Sequence, residues 1–118
     1  MEYKSLPPIK KEHVYYADLN PRHKGEPGKI RPVVVIQTDL LNNRHPTTII
    51  CPLTTKVQKE ADLLRVHLKK GEAGLKQDSD ILVDQIRAID NSRFRQHLGA
   101  IETKTVQKLK ECIGLILD

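Results

Sequence analysis

Aromatic residues are scarce in this sequence, which has no tryptophan, one phenylalanine and three tyrosines among 118 residues. The core must therefore be built mainly from valine, isoleucine and leucine. The scarcity also argues against an unspecific single-strand nucleic-acid binder, because such proteins stack successive bases on aromatic side chains. The length allows one domain with a single core.

Long apolar runs are missing as well. No run approaches the roughly 20 residues that a membrane-spanning helix needs, and residues 1–8 lack the apolar segment of a secretory signal. We therefore expect a cytoplasmic protein that does not associate with a membrane.

Residue patterns that bind metals or perform nucleophilic catalysis are also lacking. The two cysteines, Cys51 and Cys112, form no CxxC motif and lie next to apolar residues, as buried small hydrophobic side chains do. The five histidines are scattered, with none at ligand spacing from another ligand. There is no GxSxG motif and no phosphate-binding P-loop. We expect no metal ion and no cofactor.

The charge balance is moderately basic, with 20 Lys and Arg against 15 Asp and Glu and a formal net charge of +5. A positive excess favours a polyanionic partner, because each neutralised phosphate releases counterions. This excess alone selects no function.

The most informative stretch joins a polar loop, residues 25–32, to the four β-branched or aliphatic residues 33–36, which are typical of a buried strand. Pro32 biases Arg31 towards extended geometry. The guanidinium is thus placed where a rigid strand begins, which suits chemistry. The alternative is that Arg31 only ends a strand edge.

The remaining pattern predicts short strands followed by one helix. Residues 1–12 read as an extended arm. Asn91 or Ser92 is expected to cap a short helical turn that reaches residue 96, and a C-terminal helix is expected to begin at Thr103 or Thr105. Strands are predicted at 14–19, 32–37, 47–53, 64–68, 79–90 with an interruption at 84–85, and 98–101. This order favours a mainly β protein with α content, namely a barrel-like antiparallel sheet with one packed helix.

Two hydroxyl groups, Thr54 and Thr55, follow the third predicted strand. If the second and third strands are neighbours, Arg31 and Thr54 meet at a common rim. An arginine beside a hydroxyl, without a metal or cofactor, suits binding a phosphodiester and stabilising its transition state. The alternative is that the Thr54 hydroxyl only bonds local backbone.

Residues 14–21 read VYYADLNP and residues 25–37 read GEPGKIRPVVVIQ. These stretches resemble the opening of the MazF/PemK-type toxins, in which a VYxADLxP strand leads through a loop to RPVLVIQ. The likeness continues through residues 46–50, 53–54 and 78–90, and it covers roughly residues 13–116.

The resemblance implies an SH3-like, CcdB/PemK-type small antiparallel β-barrel with a C-terminal helix, here as a single toxin domain over residues 13–118 behind the arm 1–12. It implies a homodimer that is a metal-independent endoribonuclease, cutting single-stranded mRNA at short sequences. It also implies that a cognate antitoxin inhibits the toxin, and that the toxin–antitoxin complex binds DNA.

The resemblance also implies a set of site residues. The family's catalytic arginine and threonine fall on Arg31 and Thr54, and its acid–glutamine pair falls on Asp84 and Gln85. The implied RNA-binding residues are Glu26, Pro27, Thr55, Lys56, Asp84 and Gln85. The loop departs from the usual family sequence Gly-Ser-Glu-Gln-Gly-Gly, and its Pro27 is expected to stiffen it.

Without a metal to activate water, the nearest nucleophile in RNA is the 2′-hydroxyl beside the scissile phosphate. Its attack gives a 2′,3′-cyclic phosphate and a 5′-hydroxyl, and DNA cannot react this way. The alternative is a gyrase-poisoning toxin of the same fold, which acts by protein binding. That function does not require Arg31 and Thr54 together, so their presence favours cleavage.

Overall fold

The computed structural model describes residues 8–20, 29–61 and 63–117. Within these residues the chain forms an antiparallel sheet and one α-helix. In chain order the elements are β1 (His13–Asp18), β2 (Ile30–Val35), β3 (Thr47–Thr54), β4 (Arg65–Leu68), β5 (Ser79–Leu82), β6 (Arg87–Asp90), β7 (Phe94–Ala100) and α1 (Thr103–Leu117), with 3₁₀ turns at Glu72–Gly74, Val83–Gln85 and Asn91–Arg93.

The strands follow the spatial order β4-β5-β3-β2-β1-β7, and β6 also pairs with β3. Strand pairing does not close the sheet, but its two ends approach each other. The turn after β4 lies so close to β7 that a Cβ added at Gly74 would be 2.5 Å from the Leu98 carbonyl oxygen. The prediction of a barrel-like antiparallel sheet with a C-terminal helix is confirmed.

The centre of the sheet is β2, whose residues Val33, Val34 and Val35 are completely buried. A run of β-branched residues fits such a strand because both of its faces pack on apolar neighbours. The strand begins at Ile30, which pairs with Asp18 of β1, and so includes Arg31. The predicted strand, residues 32–37, was therefore placed two residues too late.

The core consists of two clusters, because the central strands bury apolar residues on both faces. The first includes residues of α1, and its members are Val14, Val34, Cys51, Leu53, Val66, Leu68, Ala73, Leu75, Ile81, Val83, Ile101, Leu109 and Cys112. The members of the second are Ile9, Tyr15, Ala17, Val33, Val35, Ile50, Ile89 and Phe94.

The helix α1 begins at Thr103, one of the two predicted starts. It buries Thr105, Leu109 and Cys112. Its first turn is tied to the turn after β4, because Glu72 Oε2 accepts hydrogen bonds from the Thr105 hydroxyl at 2.6 Å and from the Glu102 backbone N–H at 3.0 Å. In the part of the chain that the structure describes, no helix is long and apolar enough to cross a membrane.

The segment before α1 differs from its prediction. The helical turn covers only Asn91–Arg93, and its cap is Asp90, whose Oδ1 accepts from the Ser92 N–H at 2.9 Å. The next residues, predicted to continue the turn, instead start β7, which is longer than the strand expected at 98–101. Pairing with β1 supplies backbone partners for this longer strand.

Residues 8–12, the end of the predicted arm, pack against the sheet. Ile9 is buried, and its backbone N–H and carbonyl both bond the Asn43 side chain, at 2.8 and 2.9 Å. The Glu12 N–H donates to the Val35 carbonyl at 2.7 Å. These bonds fix where the chain enters β1.

Candidate active site

The pairing of β2 with β3 determines how Arg31 and Thr54 are related. Val33 lies opposite Pro52, so the same register continued two residues outward places Arg31 opposite Thr54. Residues directly opposite in an antiparallel pair point to the same face of the sheet. The pairing of β2 with β3 ends at Val33 and Pro52, and its extended register directs these two half-buried residues to one rim, the arrangement considered for them in the sequence.

The same row of side chains continues across the next two strands. Thr54 lies opposite Asp80 of β5, and Asp80 lies opposite His67 of β4. Thr54, Asp80 and His67 are therefore cross-strand neighbours that share one face, and the extended register of β2 adds Arg31 to the same row.

Asp80 is completely buried. Its Oδ2 accepts hydrogen bonds from the Gln58 backbone N–H at 2.9 Å and from Arg65 Nη1 at 3.1 Å, and its Oδ1 lies 2.6 Å from His67 Nδ1. Burial raises the pKa of Asp80, but the hydrogen bonds from Gln58, His67 and Arg65 outweigh it and hold the pKa below its ordinary value. Asp80 is thus a buried carboxylate that stays ionised.

The Thr54 hydroxyl is oriented by the segment that follows it. The Lys56 backbone N–H donates to Thr54 Oγ1 at 3.2 Å, and the Lys56 carbonyl accepts from Arg65 Nη1 at 2.7 Å. Since Thr54 Oγ1 accepts this bond, its own proton can be donated to a ligand. Thr55 and Lys56 are exposed beside it, so a second hydroxyl and a positive charge face solvent.

Arg31 pairs with Ala17 of β1 on its other side. Its guanidinium makes no hydrogen bond or ion pair with any residue that the structure describes. A half-buried guanidinium without such a partner can grip an anionic ligand at two points.

Asp84 and Gln85 lie in the 3₁₀ turn between β5 and β6. Two residues of β3 separate Ile50 from Leu53, whereas five residues separate their partners Arg87 and Ile81. The extra residues leave the sheet here, and both Asp84 and Gln85 are exposed.

Cys51 is a buried thiol close to this site, on the strand that ends at Thr54. Burial, and to a lesser degree the charge of Asp84, raises the pKa of this thiol to about 12. A thiol with such a pKa is not a nucleophile at neutral pH.

Of the eight predicted site residues, six lie in described parts of the chain: Arg31, Thr54, Thr55, Lys56, Asp84 and Gln85. The first four lie at the rim, and the last two lie in the turn that flanks β3. Glu26 and Pro27 fall outside the described residues. Among the described residues, no group of three or more His, Cys, Asp or Glu side chains could hold a metal ion.

Asp80, Arg65 and His67 were missed as site residues. The available signal was an acid within the apolar stretch 79–83, next to a strand that carries a basic residue at each alternate position. An acid at such a place needs a partner when it is buried.

Comparisons with known proteins agree on one family. The model of the PemK-like, MazF-like toxin of type II toxin–antitoxin systems matches residues 10–117. Endoribonuclease EndoA of Bacillus subtilis is 35% identical over 109 residues, which are 92% of this chain and 94% of that protein. Endoribonuclease MazF of Staphylococcus saprophyticus is 35% identical over 109 residues, covering 92% and 91% of the two chains.

Solved structures share the fold at lower identity. A MazE–MazF structure from Deinococcus radiodurans superposes with a TM-score of 0.77 at 21% identity, covering 92% of this chain and 94% of the other. The Mycobacterium tuberculosis toxin MazF-mt6 gives a TM-score of 0.75 at 22% identity, covering 90% and 96%.

Proposed function

The chain belongs to the PemK-like, MazF-like toxin family of type II toxin–antitoxin systems and is an endoribonuclease, and we propose that it cleaves single-stranded mRNA at short sequences without a metal ion. The observation that carries this proposal is the position of Arg31 opposite Thr54 in the continued register of β2 and β3. A guanidinium and a hydroxyl at one rim suit a phosphodiester, whose oxygens accept hydrogen bonds from both.

The reaction we propose uses the 2′-hydroxyl of RNA as the nucleophile. Its oxygen attacks the adjacent phosphorus and gives up its proton, while the 5′ oxygen leaves and takes up a proton. The products are a 2′,3′-cyclic phosphate and a 5′-hydroxyl. Arg31 binds the non-bridging oxygens and offsets the charge that grows on them, and it donates towards the leaving oxygen. Thr54 donates its proton to a non-bridging oxygen.

The substrate strand is held by the exposed residues around this rim. Lys56 supplies a charge for a neighbouring phosphate, and Thr55 supplies a hydroxyl. Asp84 and Gln85 offer acceptor and donor groups that can read base edges, which single-stranded RNA exposes. We assign Glu26 and Pro27 to the same RNA-binding surface on the family resemblance.

The assembly we propose is a homodimer that a cognate antitoxin inhibits in the cytoplasm. Solved relatives include MazE–MazF structures from Deinococcus radiodurans and an endoribonuclease "in complex with its cognate antitoxin" from a mycobacterial species. The chain is small for an extended RNA, and a second copy enlarges the surface that can hold the strand.

The test is to incubate the purified protein with a defined single-stranded RNA in excess EDTA and to analyse the ends. We expect cleavage to persist, with 2′,3′-cyclic phosphate and 5′-hydroxyl ends. A substrate with a single 2′-deoxy nucleotide at the cleavage position should not be cleaved, because it lacks the 2′-hydroxyl nucleophile. Activity that vanishes with chelator and returns with magnesium would contradict the mechanism, and a protein that cuts no RNA but inhibits gyrase would establish the alternative function.

A further inference from the structure

The buried carboxylate of Asp80 lies at the centre of three elements. It belongs to β5, it bonds the side chains of Arg65 and His67 on β4, and it accepts from the backbone N–H of Gln58 in the segment after β3. Both of its oxygens are thus occupied, and the segment after Thr54 is anchored at residue 58.

A second path leads from Asp80 back to Thr54. Arg65 Nη1 donates to Asp80 Oδ2 and also to the Lys56 carbonyl, and the Lys56 N–H donates to Thr54 Oγ1. One guanidinium nitrogen therefore joins the buried carboxylate to the residue that orients the Thr54 hydroxyl. The Arg65 side chain is only 17% exposed, so water competes little for these bonds.

We propose that Asp80 is a positioning residue for RNA cleavage, acting through Arg65 and the Lys56 backbone to hold the Thr54 hydroxyl in its reactive orientation. This inference rests on the proposed function, since it requires that Thr54 takes part in cleavage. Asp80 itself is buried beneath the segment 55–58 and does not touch the substrate.

The charge of Asp80 is essential to this arrangement. A carboxylate accepts from all three donors at once, whereas an asparagine offers one acceptor oxygen and turns an NH₂ group towards the others. The Asp80→Asn change therefore keeps the size of the side chain and breaks the network. Misplacement by about 1 Å costs on the order of 100-fold in rate at a well-oriented site.

The test is a double-mutant cycle between Asp80→Asn and Thr54→Ala, read as kcat and KM on a single-stranded RNA oligonucleotide that contains a mapped cleavage site. We expect Asp80→Asn to lower kcat about 10- to 100-fold with little change in KM. In the Thr54→Ala background the same change should leave the residual kcat unaltered, because the hydroxyl that Asp80 positions is gone.

Arg65→Met serves as a second variant in case Asp80→Asn does not fold. It removes the link to the Lys56 carbonyl, and we expect the same loss of kcat, again absent from the Thr54→Ala background. Arg65→Lys retains one charged donor and should recover part of the loss. Failure of lysine to recover any activity beyond that of methionine would contradict the role of this link.

Glu72→Ala is the control. Glu72 is also a carboxylate that joins two elements, because its Oε2 accepts from both the Thr105 hydroxyl and the Glu102 N–H, but neither of these partners forms a hydrogen bond with residues 55–58 in the described part of the chain. Alanine removes both bonds, so we expect it to lower the melting temperature without lowering kcat. An equal loss of kcat in Glu72→Ala and Asp80→Asn would assign both effects to stability and overturn the inference.

The cycle separates the two proposals. If Thr54→Ala is slow, and Asp80→Asn reduces the residual kcat of Thr54→Ala by the same factor as in the wild type, the positioning role fails and the proposed function stands. If Thr54→Ala cuts RNA at the wild-type rate, the assignment of Thr54 fails and the positioning role fails with it.

Discussion

His13 of β1 and His97 of β7 stack on each other, and Nδ1 of the first lies 2.9 Å from Nε2 of the second. When both rings are neutral, one imidazole donates and the other accepts, whereas protonation of both rings would bring two positive charges into contact. Burial, and then the charges of His97 and Lys10, lower the pKa of His13 below its ordinary value of 6.5, although Asp39 and Glu12 act in the opposite direction.

The free energy of unfolding should therefore fall as the pH drops below about 6.5. In that range the unfolded chain binds a proton at His13 more readily than the folded chain does, so acid favours unfolding. The contribution of His13 to the free energy of unfolding is complete above about pH 6.5. His13→Asn should flatten the dependence, as measured by urea unfolding at about pH 7.5 and about pH 5.5. His45→Asn, at an exposed position, should leave it unchanged. If the free energy of unfolding of His13→Asn depended on pH as strongly as that of the wild type, other groups would be responsible for the dependence.

Arg31→Ala should lower the rate of RNA cleavage by on the order of 100-fold or more. The guanidinium has no partner among the described residues, so the melting temperature should change little. Arg31→Lys should also fail, because an ammonium cannot reproduce a planar two-point grip on phosphate. Lys69→Ala removes an exposed charge outside the rim and should retain activity. Cleavage by Arg31→Ala at a near wild-type rate would show that the assignment of Arg31 is wrong.

Gly74→Ala should destabilise the fold by roughly 2–4 kcal/mol, measured by chemical denaturation. Gly74 has φ +73, and its added Cβ would lie 2.5 Å from the Leu98 carbonyl oxygen. Gly71→Ala should cost less, since its φ is +99 but nothing lies within 4 Å of the added Cβ. Gly114→Ala, in open space within α1, should stabilise by about 0.5–1 kcal/mol. Equal effects at Gly71 and Gly74 would mean that the contact with Leu98 relaxes freely.

Light scattering at micromolar concentration should give twice the mass of one chain, as the proposed homodimer requires. Exposed leucines near the end of α1, Leu115 and Leu117, are available to such an interface. A monomeric mass at that concentration would argue against the dimer. The same measurement on Arg31→Ala should also give the dimer, which would separate lost chemistry from lost assembly.

Much of the fold could be predicted because it follows from local sequence patterns. The β-branched run before Gln37 indicates a buried strand, and the three- and four-residue steps of Val106, Leu109 and Ile113 indicate the helix face. The polar pair at 84–85 within an apolar stretch indicates the break between β5 and β6, which the structure shows.

Contacts that depend on non-local pairing could not be predicted. The length of β7 follows from its register with β1, about 80 residues earlier in the chain. The Asp80 network likewise depends on the registers of β3, β4 and β5 together. The placement of Arg31 and Thr54 at one rim could be expected from the sequence, because both residues flank neighbouring strands and a single register relates these strands.

The turn between β5 and β6 is a place where substitutions can change the protein surface without disturbing the sheet. On either side of the turn Val83–Gln85, β3 is paired in two registers; Val83 stays in the core, and Asp84 and Gln85 face solvent. Substitutions at Asp84 and Gln85 can thus alter the chemistry presented beside the rim without moving a hydrogen bond of the sheet. If the proposed function holds, we expect such substitutions to change the RNA sequence that is preferred, while Arg31, Thr54 and the strands that hold them stay in place.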